Sequence, residues 1–235
     1  MTTVLLIRHG RSTANASGVL AGRTPGIELD ERGLAQAAVL AERLSAVPLS
    51  AVVSSPLERT RQTAEALMAG REGTPLHVDE QLSECDYGHW SGRDLKTLAK
   101  EQLWKTVQAH PAAVVFPGGE AMAAMSARAV TAIRRWNAEL GENATYAVVS
   151  HGDIIKAIAA DALGMHLDLF QRLQADPCSI TVIRYTATRP FLLRLNDTGG
   201  DVGGLIPPKR RSRRSAAHSH TAEGDAAVGG GAGTP

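Results

Sequence analysis

The sequence has almost no cysteine. Its two thiols, Cys85 and Cys178, stand in 235 residues without CxxC spacing, which excludes a disulfide framework and points to a reducing cytoplasm. Aromatic residues are scarce at 4%, so a core has to be built from aliphatic side chains and alanine. The hydrophobic fraction of 43% is enough for one substantial domain. A formal net charge of +1 lacks the excess expected of a nucleic-acid or membrane-surface binder. No apolar run approaches the roughly 18 residues of a membrane span, and Val4 to Ile7 is too short for a signal-peptide core. What these absences leave is a cytoplasmic protein with no nucleic-acid or membrane partner. They leave open whether it forms a homo-oligomer.

What is present is a set of short apolar strands that end in chemistry. Val4-Leu5-Leu6-Ile7 runs into Arg8, His9 and Gly10, and Ala147-Val148-Val149 runs into Ser150, His151 and Gly152. Continuous apolar runs suit strands covered on both faces. Ala51-Val52-Val53 is a third such strand; Ser54, Ser55 and Pro56 follow it, and Arg59 comes soon after. Open α/β sheets bind ligands beyond the carboxyl ends of their strands. If these strands are neighbours, two histidines and two arginines share one pocket.

Between the strands the sequence alternates toward helix. Arg11 to Gly26 reads as a long functional loop. Asp30 is placed to cap a helix carrying Leu34, Ala37, Ala38, Ala41 and Leu44. Ser55-Pro56-Leu57-Glu58 has the form of a capping box and predicts a helix that begins there, with Arg59 in its first turn. Further helices are predicted from Asp94 to about Gln108, from about Glu120 to Leu140, and from Ile154 to about Leu163. Ser179 to Ile183 and Phe191 to Leu195 read as an edge hairpin. The expected fold class is α/β, a three-layer α/β/α sandwich with a mostly parallel central sheet. Residues 1–198 form the expected domain. Residues 199–235, rich in Gly, Ala and Pro with a basic run from Lys209 to Arg214, read as a disordered tail.

The residue types at the strand ends suit phosphoryl transfer. The transferring group spreads negative charge over its equatorial oxygens, so catalysis is largely positioning and electrostatics. Arg8 and Arg59 offer planar forks for such oxygens. A histidine is a usable nucleophile near neutral pH, and two arginines beside His9 disfavour its protonated form.

Four stretches in order resemble the histidine phosphatase superfamily, with its phosphoglycerate mutase-like fold. They are Leu6-Ile7-Arg8-His9-Gly10 followed by Asn15, Ser54 to Ala64, Leu82 to Gly92, and Ser150-His151-Gly152. The resemblance implies that His9 becomes a phosphohistidine, that Arg8, Arg59 and His151 bind the phosphoryl group, and that Glu84 is the proton donor. It also implies that Asn15, Ser12, Gly22 and Gly152 line the phosphate pocket, and that no cofactor or metal is required. Tyr87 matches a substrate-contacting tyrosine of the mutases or simply packs. Trp90 reads as packing, and Cys85 as an ordinary thiol.

Both phosphatases and mutases belong to that superfamily. Mutases of this pattern carry a lysine where Leu95 stands, and an Arg-Arg pair that Asp94 to Gly119 lacks. Hydrolysis of a small phosphorylated substrate is therefore the expected activity, with phosphoglycerate mutase as the alternative. Arg11, Arg23 and Arg93 suggest a substrate with negative charge beyond the phosphate. Two other classes are open to such a sequence: a binding protein on a dead phosphatase domain, which the intact His9 disfavours, and polyanion binding by the basic tail.

Overall fold

The computed structural model describes residues 1–200 and Gly229. The chain alternates strand and helix. It runs through β1 (Thr2–Arg8), α1 (Thr13–Ser17), α2 (Glu31–Leu44), β2 (Val52–Ser54), α3 (Glu58–Met68) and β3 (Leu76–Val78). It continues with α4 (Leu95–Leu98), α5 (Gln102–Ala109), α6 (Met122–Leu140), β4 (Thr145–Ser150), α7 (Gly152–Ala162), β5 (Ile180–Tyr185) and β6 (Pro190–Asp197). The six strands form one sheet in the order β3-β2-β4-β1-β5-β6. The first four are parallel, while β5 and β6 join as an antiparallel hairpin at the edge.

The apolar runs are continuous because each strand is covered twice. Val4, Leu6, Val53 and Val148 enter a core shared with Met125, Ile133, Ile155 and Ile158 of α6 and α7. Leu5, Ile7, Val52 and Val149 enter a second core with Ala37, Leu40 and Leu44 of α2 and Leu67 of α3. Successive side chains of a strand point to opposite faces, so a strand feeding two cores can spare no polar position. The layers are those expected.

Three local readings are corrected. Helix α3 begins at Glu58, and its N-cap, Leu57, makes no side-chain cap; Ser55 is held elsewhere, as described below. The helix predicted from Asp94 is two helices. Asp94 does cap the first, but the Glu101 carboxylate is taken by Trp90 Nε1 at 2.9 Å and by Arg93, and its extended backbone breaks the run before Gln102. The loop after His9 contains α1, closed by a capping box between Ser12 and Asn15. The predicted tail, 201–228 and 230–235 with its basic run, lies outside the described residues.

Close backbone packing fixes the loop that carries the first motif. Asp30 caps α2 by accepting from Gly33 N at 2.8 Å, and the Asp30 amide donates to the Arg11 carbonyl. A Cβ on Gly33 would lie 2.0 Å from that same carbonyl oxygen. Backbone has to move to admit it, so Gly33→Ala should lower stability by ~1–3 kcal/mol, as overpacking does. Urea denaturation checks this as a lower midpoint at unchanged slope. No helix among the described residues is long and apolar enough to cross a membrane.

Candidate active site

Parallel pairing brings the chemistry together. Arg8 pairs with Ser150 across β1 and β4, and Ser54 pairs with Val149 across β2 and β4. The residues that follow these strand ends, His9, Ser55 and His151, therefore emerge side by side. The His9 amide donates to the Ser150 carbonyl, and the Ser55 amide to the Val149 carbonyl. His9 and His151 place their ring centroids 5.3 Å apart.

The hydrogen bonds of His9 decide its tautomer. Nδ1 lies 2.7 Å from the Gly10 carbonyl oxygen, and a carbonyl only accepts, so Nδ1 carries the proton. Nε2 then keeps its lone pair and accepts from Arg59 Nε at 3.3 Å. Burial, aided by the Arg59 and Arg8 guanidiniums, holds the imidazole well below its ordinary pKa; the Gly10 carbonyl works the other way. The ring is a neutral base with its nucleophilic nitrogen facing a cation.

Arg59 is the hub. Its residue is 1% exposed. Nη2 donates to the Gly22 carbonyl at 2.8 Å and faces His151 Nδ1 at 3.2 Å, while Nη1 is buried with no hydrogen-bond partner among the described residues. Arg8 is equally buried and donates through Nη1 to the Ala175 carbonyl at 2.9 Å. Its charge bears on both His9 and Glu84.

His151 has a support that sequence reading missed. Its Nε2 lies 2.8 Å from Ser55 Oγ. A guanidinium only donates, so His151 Nδ1 accepts from Arg59 and Nε2–H donates to the serine. Ser55 thus orients a site residue instead of capping α3. His151 stays neutral, pushed well below its ordinary pKa by burial and then by Arg59, His9 and Arg8. Donation from Nδ1 to a bound group would need a second proton on this ring.

Glu84 lies in a loop whose backbone is clamped. Its carbonyl accepts from Arg23 Nε at 2.8 Å and from Arg128 Nη2 at 3.1 Å. The side chain is buried, and Oε1 accepts from the Cys85 amide at 2.9 Å. Burial and the nearby Asp153 carboxylate raise its pKa to about 7, against the opposing pull of the Cys85 amide, Arg59 and Arg8. This carboxyl can hold a proton at neutral pH and give it up.

Of these groups His9, Arg59 and Glu84 line a cleft of about 160 Å³ together with Ser12, Asn15 and Gly22, while Arg8 and His151 are buried and are not among its lining residues. Asn15 Oδ1 is taken by the Ser12 amide and hydroxyl, which leaves the amide NH2 as the end to offer a ligand. Gly22 has φ +52, and a Cβ there would meet Ser91 Oγ at 2.5 Å. Gly152 opens α7 and is buried, but it is not one of the cleft-lining residues. Tyr87 does line the cleft while its hydroxyl donates to Asp153 Oδ2 at 2.7 Å, so it both packs and faces the cleft. Trp90 is buried in the core, and the Cys85 thiol is buried with its pKa pushed up by burial.

The loop arginines are engaged by carboxylates of the protein. Arg11 is bound by Asp30 at 2.7 Å, Arg23 by Glu120 at 3.0 Å, and Arg93 by Glu101. None of the three is among the residues lining the cleft. Their charge is spent on holding loops.

The family model of the histidine phosphatase superfamily (branch 1) matches residues 4–198. Phosphoserine phosphatase 1 of Hydrogenobacter thermophilus is 32% identical over 206 residues, covering 84% of this chain and 93% of that protein. The probable phosphoglycerate mutase of Cronobacter sakazakii is 32% identical over 213 residues, covering 88% and 97%. Among solved structures, phosphoserine phosphatase of Entamoeba histolytica in complex with 3-phosphoglyceric acid superposes with a TM-score of 0.76 at 27% identity, covering 84% of this chain and 98% of that one. A mycobacterial glucosyl-3-phosphoglycerate phosphatase in complex with VO3 gives 0.75 at 26% identity, covering 83% and 98%.

Proposed function

The chain belongs to branch 1 of the histidine phosphatase superfamily, and on that premise we propose that it hydrolyses small phosphomonoesters through a phosphohistidine on His9. One observation carries this reading. Arg59, which lines the cleft, touches the unprotonated Nε2 of His9 while its own Nη1 is buried without a hydrogen-bond partner among the described residues. A buried, unsatisfied donor on a cation is costly, and a phosphoryl oxygen is the acceptor that would satisfy it.

The reaction has two halves. In the first, the Nε2 lone pair attacks phosphorus, the bond from phosphorus to the ester oxygen breaks, and Glu84 gives its proton to the departing alkoxide. In the second, Glu84, now a carboxylate, takes a proton from water as that water attacks phosphorus. The phosphorus–nitrogen bond breaks and inorganic phosphate leaves. Arg59 and Arg8 hold the charge that builds on the equatorial oxygens, so that task falls to guanidiniums rather than to a metal ion. His151, steadied by Ser55, accompanies them, and Asn15, Ser12 and Gly22 form the pocket wall. Hydrolysis is favoured over mutase transfer because Leu95, an apolar side chain, lines the cleft. The two free, buried thiols suit action in the cytoplasm.

The test separates the acid from the nucleophile. kcat/KM reports the free enzyme and includes the steps up to departure of the alcohol. For an alkyl phosphate it should fall as pH rises through about 7, because the protonated form of Glu84 is lost there. Glu84→Gln should reduce that kcat/KM by ~10²–10⁴-fold and abolish the alkaline limb. For p-nitrophenyl phosphate, whose leaving group needs no proton, the loss in kcat/KM should be small. Equal losses on both substrates would remove Glu84 from the acid role.

A further inference from the structure

The geometry points to the kind of alcohol that leaves: we propose that it carries no negative charge of its own, a small neutral and partly apolar alcohol rather than a carboxylate-bearing one. This rests on the hydrolase reading above and departs from the acids named for the phosphoserine and phosphoglycerate relatives.

The wall beside the phosphoryl site is apolar. Val19, Leu20 and Leu95 line the same cleft as His9 and Arg59. Arg59 is the only lysine or arginine among the described residues that line it. Its Nε and Nη2 are already committed to His9, Gly22 and His151, which leaves Nη1 for the phosphoryl group. No described lining residue supplies a second cation for a carboxylate. Arg11, Arg23 and Arg93 are each held by a carboxylate of the protein.

The acidic groups on this side bring no compensating charge: Glu84 lines the cleft as the proton donor, and Asp153, whose charge helps to keep that proton in place, is not among the lining residues. Asp153 is fully buried in the first turn of α7. Its Oδ2 accepts from the hydroxyl of Tyr87 at 2.7 Å and from the amide of Gly229 at 3.1 Å, and both of those residues line the cleft. Oδ1 lies 3.0 Å from Lys156 Nζ. That ammonium is itself buried and donates to Gln171 Oε1 at 2.6 Å, and neither residue is among those lining the cleft. A carboxylate on the leaving group would meet apolar carbon and a protonated Glu84, with no cation of the described lining to pair it, and an uncompensated charge is costly where water is excluded. The cleft volume of about 160 Å³ also lies below the ~300–1,000 Å³ of sites that enclose drug-sized ligands, which fits a small ester.

The test is a matched panel on the full chain: glycerol 3-phosphate and 3-phosphoglycerate, which differ by a carboxylate on one carbon skeleton, together with propyl phosphate and with p-nitrophenyl phosphate as control. Glycerol 3-phosphate and propyl phosphate should each exceed 3-phosphoglycerate in kcat/KM by about tenfold or more. Leu95→Lys, which puts a cation into the wall, should raise kcat/KM for 3-phosphoglycerate relative to glycerol 3-phosphate by about tenfold. If 3-phosphoglycerate equals or beats glycerol 3-phosphate in the wild type, the proposal is overturned while hydrolysis stands. A ratio that folded Leu95→Lys leaves unmoved overturns it as well, since the discrimination would then lie outside this wall. If no ester is cleaved, p-nitrophenyl phosphate included, the hydrolase reading fails and the proposal falls with it.

Discussion

His9→Ala should lower kcat for p-nitrophenyl phosphate by ~10⁴-fold or more, because removing the group that forms the covalent intermediate leaves only binding and electrostatics. The loss should appear in folded protein. The His9 backbone is tied to β4 through the Ser150 carbonyl, and its ring makes a single protein hydrogen bond as donor, to the adjacent Gly10 carbonyl. Truncation therefore frees no distant buried partner except Arg59, which already carries an unsatisfied Nη1. Steady-state kinetics beside a circular dichroism spectrum and a urea midpoint would check both halves of the expectation.

Arg59→Ala should cost ~10³–10⁵-fold in kcat/KM, the range in which a charge-stabilising arginine acts on phosphoryl transfer. Arg59→Lys should recover little of it. The guanidinium presents three nitrogens at once: Nε on His9 Nε2, Nη2 on the Gly22 carbonyl and His151 Nδ1, and Nη1, which has no hydrogen-bond partner among the described residues. A lysine ammonium is a point charge that cannot reproduce this planar set of contacts. It would also leave the Gly22 carbonyl or the His151 ring without its donor. A lysine variant within tenfold of wild type would mean that Arg59 contributes charge alone, and the geometric part of its role would have to be given up.

The pH behaviour follows from the same cluster. His9 is held neutral by burial and two arginines, so its lone pair is available well below neutral pH. Glu84 is held protonated up to about 7 by burial and by Asp153. One environment thus pushes a base down and an acid up, and that separation is how acid and nucleophile coexist in one cleft. The useful window lies between the two values, and Glu84 sets its upper edge.

The strand ends were legible because β1 and β4 each feed two cores. A strand buried on both faces reads as a short apolar run, and the polar residue that terminates it stands out. The layer order followed from the alternation of such runs with helical spacing. Positions that depend on partners far away in sequence were not legible. Arg11 finds Asp30 across 19 residues and Arg23 finds Glu120 across 97; without those carboxylates in view, both arginines read as free charge for a substrate. Ser55 gave a misleading local signal, since Ser-Pro-Leu-Glu has the form of a helix cap. Its hydroxyl goes instead to His151, 96 residues on. Asp153 gave no signal at all, because an acidic residue in the first turn of a helix is ordinary. Its contacts with Tyr87 and Lys156, and its influence on Glu84, mark it out.

The most direct measurement is a rapid quench of the full-length protein during turnover of a labelled phosphomonoester, followed by mapping of the bound label. A phosphoenzyme is expected whose label is stable in base, lost in mild acid, located on the peptide containing His9 and absent from His9→Ala, forming and decaying at least as fast as turnover. Turnover at a normal rate with no label on His9, or with the label on another residue, would contradict it.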